Sequence, residues 1–349
     1  MGRNPERPTL KTIAAMTGLA VPTVSRALSG APDIGAATRE TVRAVADQIG
    51  YVPNRAGVRL RTGRSYVIGL VLQAAFDGMD MTAQLTNAAA GALRGTPYSL
   101  SITPYFEDED PVAPIRQIVE TRAADALILN RIEVEDARVK YLMEAGFPFV
   151  THGRSGWAGQ HDFYDFDNYR FGQNAAETLA RLGRRSLLVL APPGTQTYAQ
   201  DIEAGVQEAA ARCGLRWTAL TGARSDSDPA HIEAAVTQAL RPPEGNAGRA
   251  GAGAPYDGII SPSAGACMAA VTAAEAAGLE LGRTIDVVAK DTSVFLKWFR
   301  KGIYVQTEDA AAAGRHLAQA AIARIETPDA PFLQHLESPA APPEPSAGR

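Results

Sequence analysis

The chain has 349 residues, 46% of them hydrophobic, and a formal net charge of −4. That length exceeds one ordinary core and calls for two or three domains. No apolar run approaches the roughly 20 residues that span a bilayer, and no apolar stretch follows the polar N-terminus. Two cysteines and five scattered histidines offer neither a disulfide framework nor metal-ligand spacing. A cytoplasmic protein without metal, cofactor or membrane partner is therefore expected.

The charge is unevenly spread. Up to Arg64 there are ten basic and four acidic side chains, a net +6, which leaves −10 for the remainder. A cationic head on an anionic body suits a polyanionic partner, because Lys and Arg at phosphates supply most non-specific DNA affinity. A charge run alone is more often a solvated surface. In the head, Leu10, Ile13 and Ala14 recur at helical spacing, and Gly18 permits the left-handed turn that ends a first helix. A second helix runs from about Val21 to Leu28, with Val24, Ala27 and Leu28 apolar and Thr23, Ser25 and Arg26 on the other side. Pro22 is tolerated there because first-turn N–H groups have no intrahelical partner. A third helix runs from about Ala36 to Ile49 and is closed by Gly50. Three short helices, the second opening on small residues and carrying an arginine, predict a helix-turn-helix whose recognition helix lies in the major groove.

From Tyr66 onward short β-type runs alternate with amphipathic helices. Strands are predicted at "VIGLVL", "YSLSI", "DALIL", "PFVT", "SLLVL", "DGII" and "DVVA". Helices are predicted near Thr82 to Leu93, Val134 to Ala145, Asn168 to Leu182, Tyr198 to Cys213, Ile232 to Leu240 and Cys267 to Ala277. The alternation predicts parallel sheets covered on both faces, and its length predicts two lobes. Ligands of such sheets bind beyond the carboxyl ends of the strands. Those ends carry Gln73 and Asp77, Asn130 and Arg131, His152 and Arg154, Asp165, Asp167 and Arg170, Ser261 and Ser263, and Lys290 and Asp291. Each could instead be a helix cap or half of an ion pair. Arg241 to Pro255 reads as a mobile surface loop and the last dozen residues as a disordered tail without a leucine heptad.

"LKTIAAMTGLAVPTVSRAL", followed by "TRETVRAVADQIGYVPNRAGVRLRTGRS", resembles the head of lactose-repressor (LacI) family transcription regulators over Leu10 to about Ser65. The resemblance implies a helix-turn-helix domain at 1–53, a hinge helix and linker at 54–65, a two-lobed α/β sensor of the periplasmic-binding-protein type 1 kind at 66–337, and a tail at 338–349. Val21 and Pro22 would face base edges and Arg26 a base or a phosphate. Thr9, Thr23, Ser25, Asn54 and Arg55 complete the contact set with the backbone. Gly57 and Leu60 belong to the hinge, where Leu60 would wedge between central base pairs of the minor groove. Two positions depart from the pattern: Ala20 stands where a Ser N-cap is usual, and Gly57 where Ala is usual. Each change costs about 1 kcal/mol of helix stability, so the hinge is expected to fold poorly without DNA.

In the body, "DFDNYRFG" places Arg170 where the family's arginine reaches effector hydroxyls. "THGRSGWAGQHDFYDFDN" is similar to the raffinose-repressor-like branch, which implies an α-galactoside or α-glucoside oligosaccharide. The candidate effector set is Gln73, Phe76, Asp77, Asn130, His152, Arg154, Trp157, Tyr164, Arg170, Tyr198, Ser263 and Asp291. The aromatic members stand near strand ends where rings meet sugars, although core packing is their commoner fate. "SPSAGAC" lacks the usual acidic contact, "VVAKDT" replaces "VVGFDD", and Glu308 stands near a common Gln. The resemblance thus implies a homodimeric repressor that leaves operator double-stranded DNA when a sugar binds. Alternatives are a regulator that needs its small molecule as corepressor, and a sugar-transport binding protein. An enzyme is not expected, because there is no G-x-G-x-x-G after the first strand, no Walker sequence and no Ser/His/Asp set.

Overall fold

A computed structural model describes residues 8–52, 57, 59, 62–73, 79–241, 254–292 and 295–340. The chain divides into two compact units, Met1–Ser65 and Tyr66–Arg349. Residues 242–253 of the predicted loop at 241–255, and 341–349 of the predicted tail at 338–349, lie outside the described residues.

The first unit holds α1 (Leu10–Thr17), α2 (Val21–Leu28) and α3 (Ala36–Gln48). A capping box between Thr9 and Thr12 starts α1, and Gly18 at φ 71° ends it in the left-handed conformation. α2 starts without a side-chain cap, since Ala20 has no oxygen to offer, and its proline falls in the first turn. Ile13, Val24, Ala27, Val42 and Ala46 are buried where the three helices meet, and Leu10, Leu19, Leu28, Ile34, Ile49 and Tyr51 close around them.

The second unit contains two parallel sheets. β1 (Val67–Gln73), β2 (Ser99–Tyr105), β3 (Ala126–Leu129), β4 (Phe149–His152), β5 (Asp162–Phe166) and β11 (Gln334–Glu337) form the first, in the order β11-β5-β4-β3-β1-β2. β6 (Ser186–Val189), β7 (Arg216–Ala219), β8 (Gly258–Ser261), β9 (Asp286–Asp291) and β10 (Ile303–Thr307) form the second, in the order β10-β9-β8-β6-β7. The helices are α4 (Met79–Ala92), α5 (Ala113–Thr121), α6 (Ala137–Glu144), α7 (Asn168–Arg181), α8 (Thr197–Cys213), α9 (Pro229–Ala239), α10 (Ala264–Ala276), α11 (Phe295–Phe299) and α12 (Ala310–Glu326). Among the described residues no helix is long and apolar enough to cross a membrane.

Side-chain alternation explains why central strands such as β1, β3, β4 and β8 are apolar on both faces. Ile68, Leu70, Ile128 and Val150 pack on one face of the first sheet against Leu85 and Ala89 of α4 and Leu317 and Ala321 of α12. Their neighbours Val71, Leu127, Leu129 and Phe149 pack on the other, against Ile115 of α5 and Val139 and Leu142 of α6. In the second sheet Leu188, Ile259 and Val287 face α9 and α10, while Leu187, Val189, Ile260 and Val288 face α7 and α8. α7 and α8 approach so closely that a methyl group on Gly205 would collide with the Tyr169 carbonyl. Cys267 is buried in the second lobe, and burial pushes its thiol pKa up.

Several elements have no counterpart among the predicted ones. β5 carries Asp162 and Asp165 inside a sheet, each neutralised by an arginine, Arg324 and Arg154 respectively. β11 is a polar, exposed edge strand, and α12 is alanine-rich enough to have no distinct apolar stripe. α6 starts at Ala137, later than predicted, because Asp136 caps it; α10 starts at Ala264, earlier than predicted, because Ser263 caps it. The chain enters the second lobe through Asp167 and Asn168 after β5. It returns through Glu308 and Asp309 after β10, and both connections lie at the carboxyl ends of strands.

Candidate DNA-binding head and effector cleft

In the head, Thr9 is exposed and its hydroxyl belongs to the capping box of α1. Pro22 and Arg26 are exposed on α2 and Val21, Thr23 and Ser25 are half-buried, while Val24 and Ala27 face the core. Amphipathic spacing thus turns the polar face of α2 outward with its arginine. Arg26 pairs with Asp33, both well exposed, and such a pair is weak enough for a phosphate to replace it. Asn54, Arg55 and Leu60 lie outside the described residues. Gly57, Arg59 and Thr62 are helical, and the Gly63 N–H donates to the Arg59 carbonyl at 2.8 Å. Nothing within 4 Å would meet a methyl group at Gly57.

In the body, the carboxyl ends of both sheets open onto one cavity of about 1060 Å³, counting space open to solvent. The first lobe contributes Gln73 at the end of β1, Asn130 and Arg131 after β3, His152 at the end of β4 and Arg154 just after it, and Asp165 of β5. The second contributes Thr197 and Tyr198 at the start of α8, Ser263 at the cap of α10, and Lys290 and Thr292 at the end of β9. Asn168 and Glu308 come from the two connections.

Glu308 is the centre of the charge on this floor. It is 2% exposed, with His152 Nε2 at 3.2 Å from the first lobe and Lys290 Nζ at 2.9 Å from the second. Burial pushes its carboxyl up, but Lys290 and His152 outweigh burial and hold it at about 2. Lys290 also donates to Asn168 Oδ1 at 3.0 Å and lies 5.2 Å from the Phe166 ring and 5.4 Å from the Tyr198 ring. Arg154 joins Asp165 of its own lobe at 2.7 Å to Asp201 of the second lobe at 3.0 Å. Burial raises Asp165 to about 6 despite that arginine.

Arg131 occupies a left-handed backbone position, φ 53°, which a non-glycine residue adopts at a cost. Arg138 offsets that cost. Its buried guanidinium donates to the carbonyls of Asn130 and Arg131, both at 3.0 Å, to Tyr105 Oη at 2.8 Å and to the Asp136 carboxylate. The lobes also touch across the cleft. Arg131 pairs with Asp226, and the Thr197 N–H donates to the Ile132 carbonyl at 3.0 Å. Asn130 Oδ1, Arg131 Nε and Thr197 Oγ1 are buried and have no hydrogen-bond partner within the described residues. Leaving such atoms unpaired costs about 1–3 kcal/mol each, so the site favours a bound molecule that both donates and accepts.

Of the residues singled out from the sequence, Gln73, Asn130, His152, Arg154, Tyr198 and Ser263 come together in this cavity. Four do not. Arg170 is exposed on the outer side of α7, on the Gln173 side-chain oxygen at 3.0 Å. Trp157 packs against the apolar side chains beneath α6. Tyr164 alternates with Asp165 along β5, so it points toward α12, with its hydroxyl donating to Glu337 at 2.8 Å. Asp291 alternates with Lys290 and is buried, accepting from the Leu296 N–H at 3.4 Å. Phe76 and Asp77 lie outside the described residues. The candidate set omitted Arg131, Asp165, Asn168, Thr197, Lys290 and Glu308. Arg131, Asp165 and Lys290 stand at strand ends, which was signal enough, whereas Asn168 and Thr197 are marked only as helix starts. Among the described residues no group of three or more His, Cys, Asp or Glu side chains could hold a metal ion.

Residues 9–54 match the family model described as bacterial regulatory proteins, lacI family, and residues 77–327 match that of the periplasmic binding protein domain. The chain belongs to the lacI family. It is a DNA-binding transcriptional regulator, and proteins of this family act on DNA in the cytoplasm. It is 31% identical to the HTH-type transcriptional regulator AglR of Rhizobium meliloti over 81% of this chain and 77% of the relative. It is 33% identical to RafR of Escherichia coli over 59% of this chain and 62% of the relative. Among solved structures, the lac repressor dimer bound to operator and the anti-inducer ONPF aligns with a TM-score of 0.78 at 19% identity, covering 96% of this chain and 97% of that one. A CelR–cellobiose complex aligns at 0.67 and 22% identity, covering 96% and 98%. At these identities the two structures establish that the lacI-family fold is shared.

Proposed function

We propose that this lacI-family regulator is a homodimeric repressor of genes for sugar uptake and catabolism, released from its operator when an α-galactoside or α-glucoside oligosaccharide enters the cleft. The observation that carries the reading is the set of buried, unpaired polar atoms on residues that both lobes contribute to one cavity, Asn130 Oδ1 and Arg131 Nε from the first and Thr197 Oγ1 from the second. Sugar hydroxyls donate and accept, and therefore suit such a set. Similarity to a protein solved with cellobiose and to the maltose regulon regulatory protein MalI supports a carbohydrate. The relatives are regulators, so the cavity is assigned to binding rather than turnover.

On DNA, Val21 and Pro22 meet base edges. Arg26 meets a base or a phosphate, Thr9, Thr23, Ser25, Asn54 and Arg55 hold the backbone, and Gly57 and Leu60 belong to a hinge pair in the minor groove. Two half-sites require two heads, hence the dimer. Sugar and operator must weaken each other by the same factor. The test is calorimetry with a panel of sugars, followed by operator titration with each binder. A sugar that binds and loosens the operator supports the reading; one that binds and leaves operator affinity unchanged refutes it.

A further inference from the structure

Beyond Arg131 the interlobe space continues. Gln73 and Arg131 line the cavity already described and also a second, outer chamber of about 1420 Å³, counting space open to solvent. The Arg131–Asp226 pair and the contact of Ile132–Val134 with Thr195–Thr197 stand between the lobes here. The outer chamber draws on both lobes and is polar. Glu133 comes from the first lobe, and Gln196 and Asp228 come from the second. Gln196 is 4% exposed, its side chain makes no cap to α8, and its Oε1 has no hydrogen-bond partner within the described residues. At the partition, Arg131 Nε is a buried donor equally without one.

We propose that this outer chamber is a second carbohydrate subsite, so that the effector is longer than a disaccharide and passes Arg131 with a further sugar unit against Gln196 and Glu133. The proposal rests on the carbohydrate reading of the inner cavity and extends it. An unpaired amide oxygen and an unpaired guanidinium N–H in one passage call for a group that both donates and accepts, as a hydroxyl does. An amine only donates, so it would leave the Arg131 Nε–H without an acceptor, although Glu107, Glu109, Glu133 and Asp228 make the chamber as acidic as it is basic. The Arg131–Asp226 pair then serves as a divider that a long ligand parts or straddles and a short one leaves intact.

The experiment is calorimetry on the full chain with two length series, melibiose, raffinose and stachyose, and maltose, maltotriose and maltotetraose. In the series that binds, the three-unit sugar is expected to bind about ten-fold more tightly than the two-unit sugar. Gln196→Ala and Glu133→Gln should each remove about five-fold of that gain and leave the two-unit sugar unaffected. The length dependence is read on the unmodified chain, so a variant that fails to fold does not remove the test. A two-unit sugar that binds as tightly as its longer homologues overturns the outer subsite while the carbohydrate reading stands. An equal loss for short and long sugars in both variants does the same. Absence of binding by every member of both series overturns the two together.

Discussion

The two units solve opposite problems. The head buries five small apolar side chains and keeps its charge outside, with Arg26 and Asp33 both well exposed. The sensor buries charge on purpose: Glu308, Asp165 and Arg138 are all sequestered, and each is satisfied by a partner from another segment. Exposed charge contributes little to stability and is free to meet phosphate. Buried charge is costly when a partner is lost, so groups like Glu308 report the arrangement of the lobes around them. The difference suggests that the head reads and the sensor decides.

The largest expected effect comes from Glu308→Gln. It leaves the half-buried Lys290 without its carboxylate and should cost about 3–5 kcal/mol, seen as a lowered thermal transition of the sensor. The same carboxylate gives a pH signature. Its folded pKa is about 2, below the ordinary 4.5. Its contribution is therefore complete above pH 4.5 and lost as pH falls from there toward 2, a slope the variant should lack in acid titration. In the head, Ile13→Ala removes the largest of the five core side chains and should cost about 2–5 kcal/mol. A core of this size cannot absorb that loss. Operator binding should fail while calorimetric sugar binding survives, which separates the units cleanly. Gly205→Ala tests the contact of α7 with α8 and should destabilise the sensor by about 1–3 kcal/mol in denaturant titration.

These effects also mark how far the sequence could be read. The helices of the head and the apolar strands were legible because period and burial coincide: "VIGLVL" is apolar on both faces and β1 is covered on both. β5 was not, because "DFYDF" hides two carboxylates whose arginine partners are supplied by Arg154 nearby and by Arg324 far along the chain. α12 and β11 were missed for want of a stripe in one and of apolar residues in the other. In the body, strand ends pointed to this cavity, but alternation decided between neighbours. Lys290 and Asp165 took the cleft, and Asp291 and Tyr164 took the other face. Arg170 was placed by family pattern, and one turn of α7 carries it outward. Arg131 and Glu308 matter through partners some 95 and 156 residues away, which no local pattern contains.

The smallest effects sharpen the account of the head. Ala20→Ser supplies the oxygen that α2 lacks and should stabilise the head by about 1 kcal/mol in a thermal melt. Gly57→Ala has open space for its methyl group and should stabilise the hinge turn by about 1 kcal/mol, tightening operator binding several-fold.

Fluorescence anisotropy with the duplex upstream of the protein's own coding sequence, across a salt series and with and without a sugar shown to bind, bears most directly on the trade between cleft and operator. Retention should fall steeply with salt, and saturating sugar should weaken it by about ten-fold or more at every salt concentration. Retention that is insensitive to salt, or that a bound sugar leaves untouched, would contradict the account.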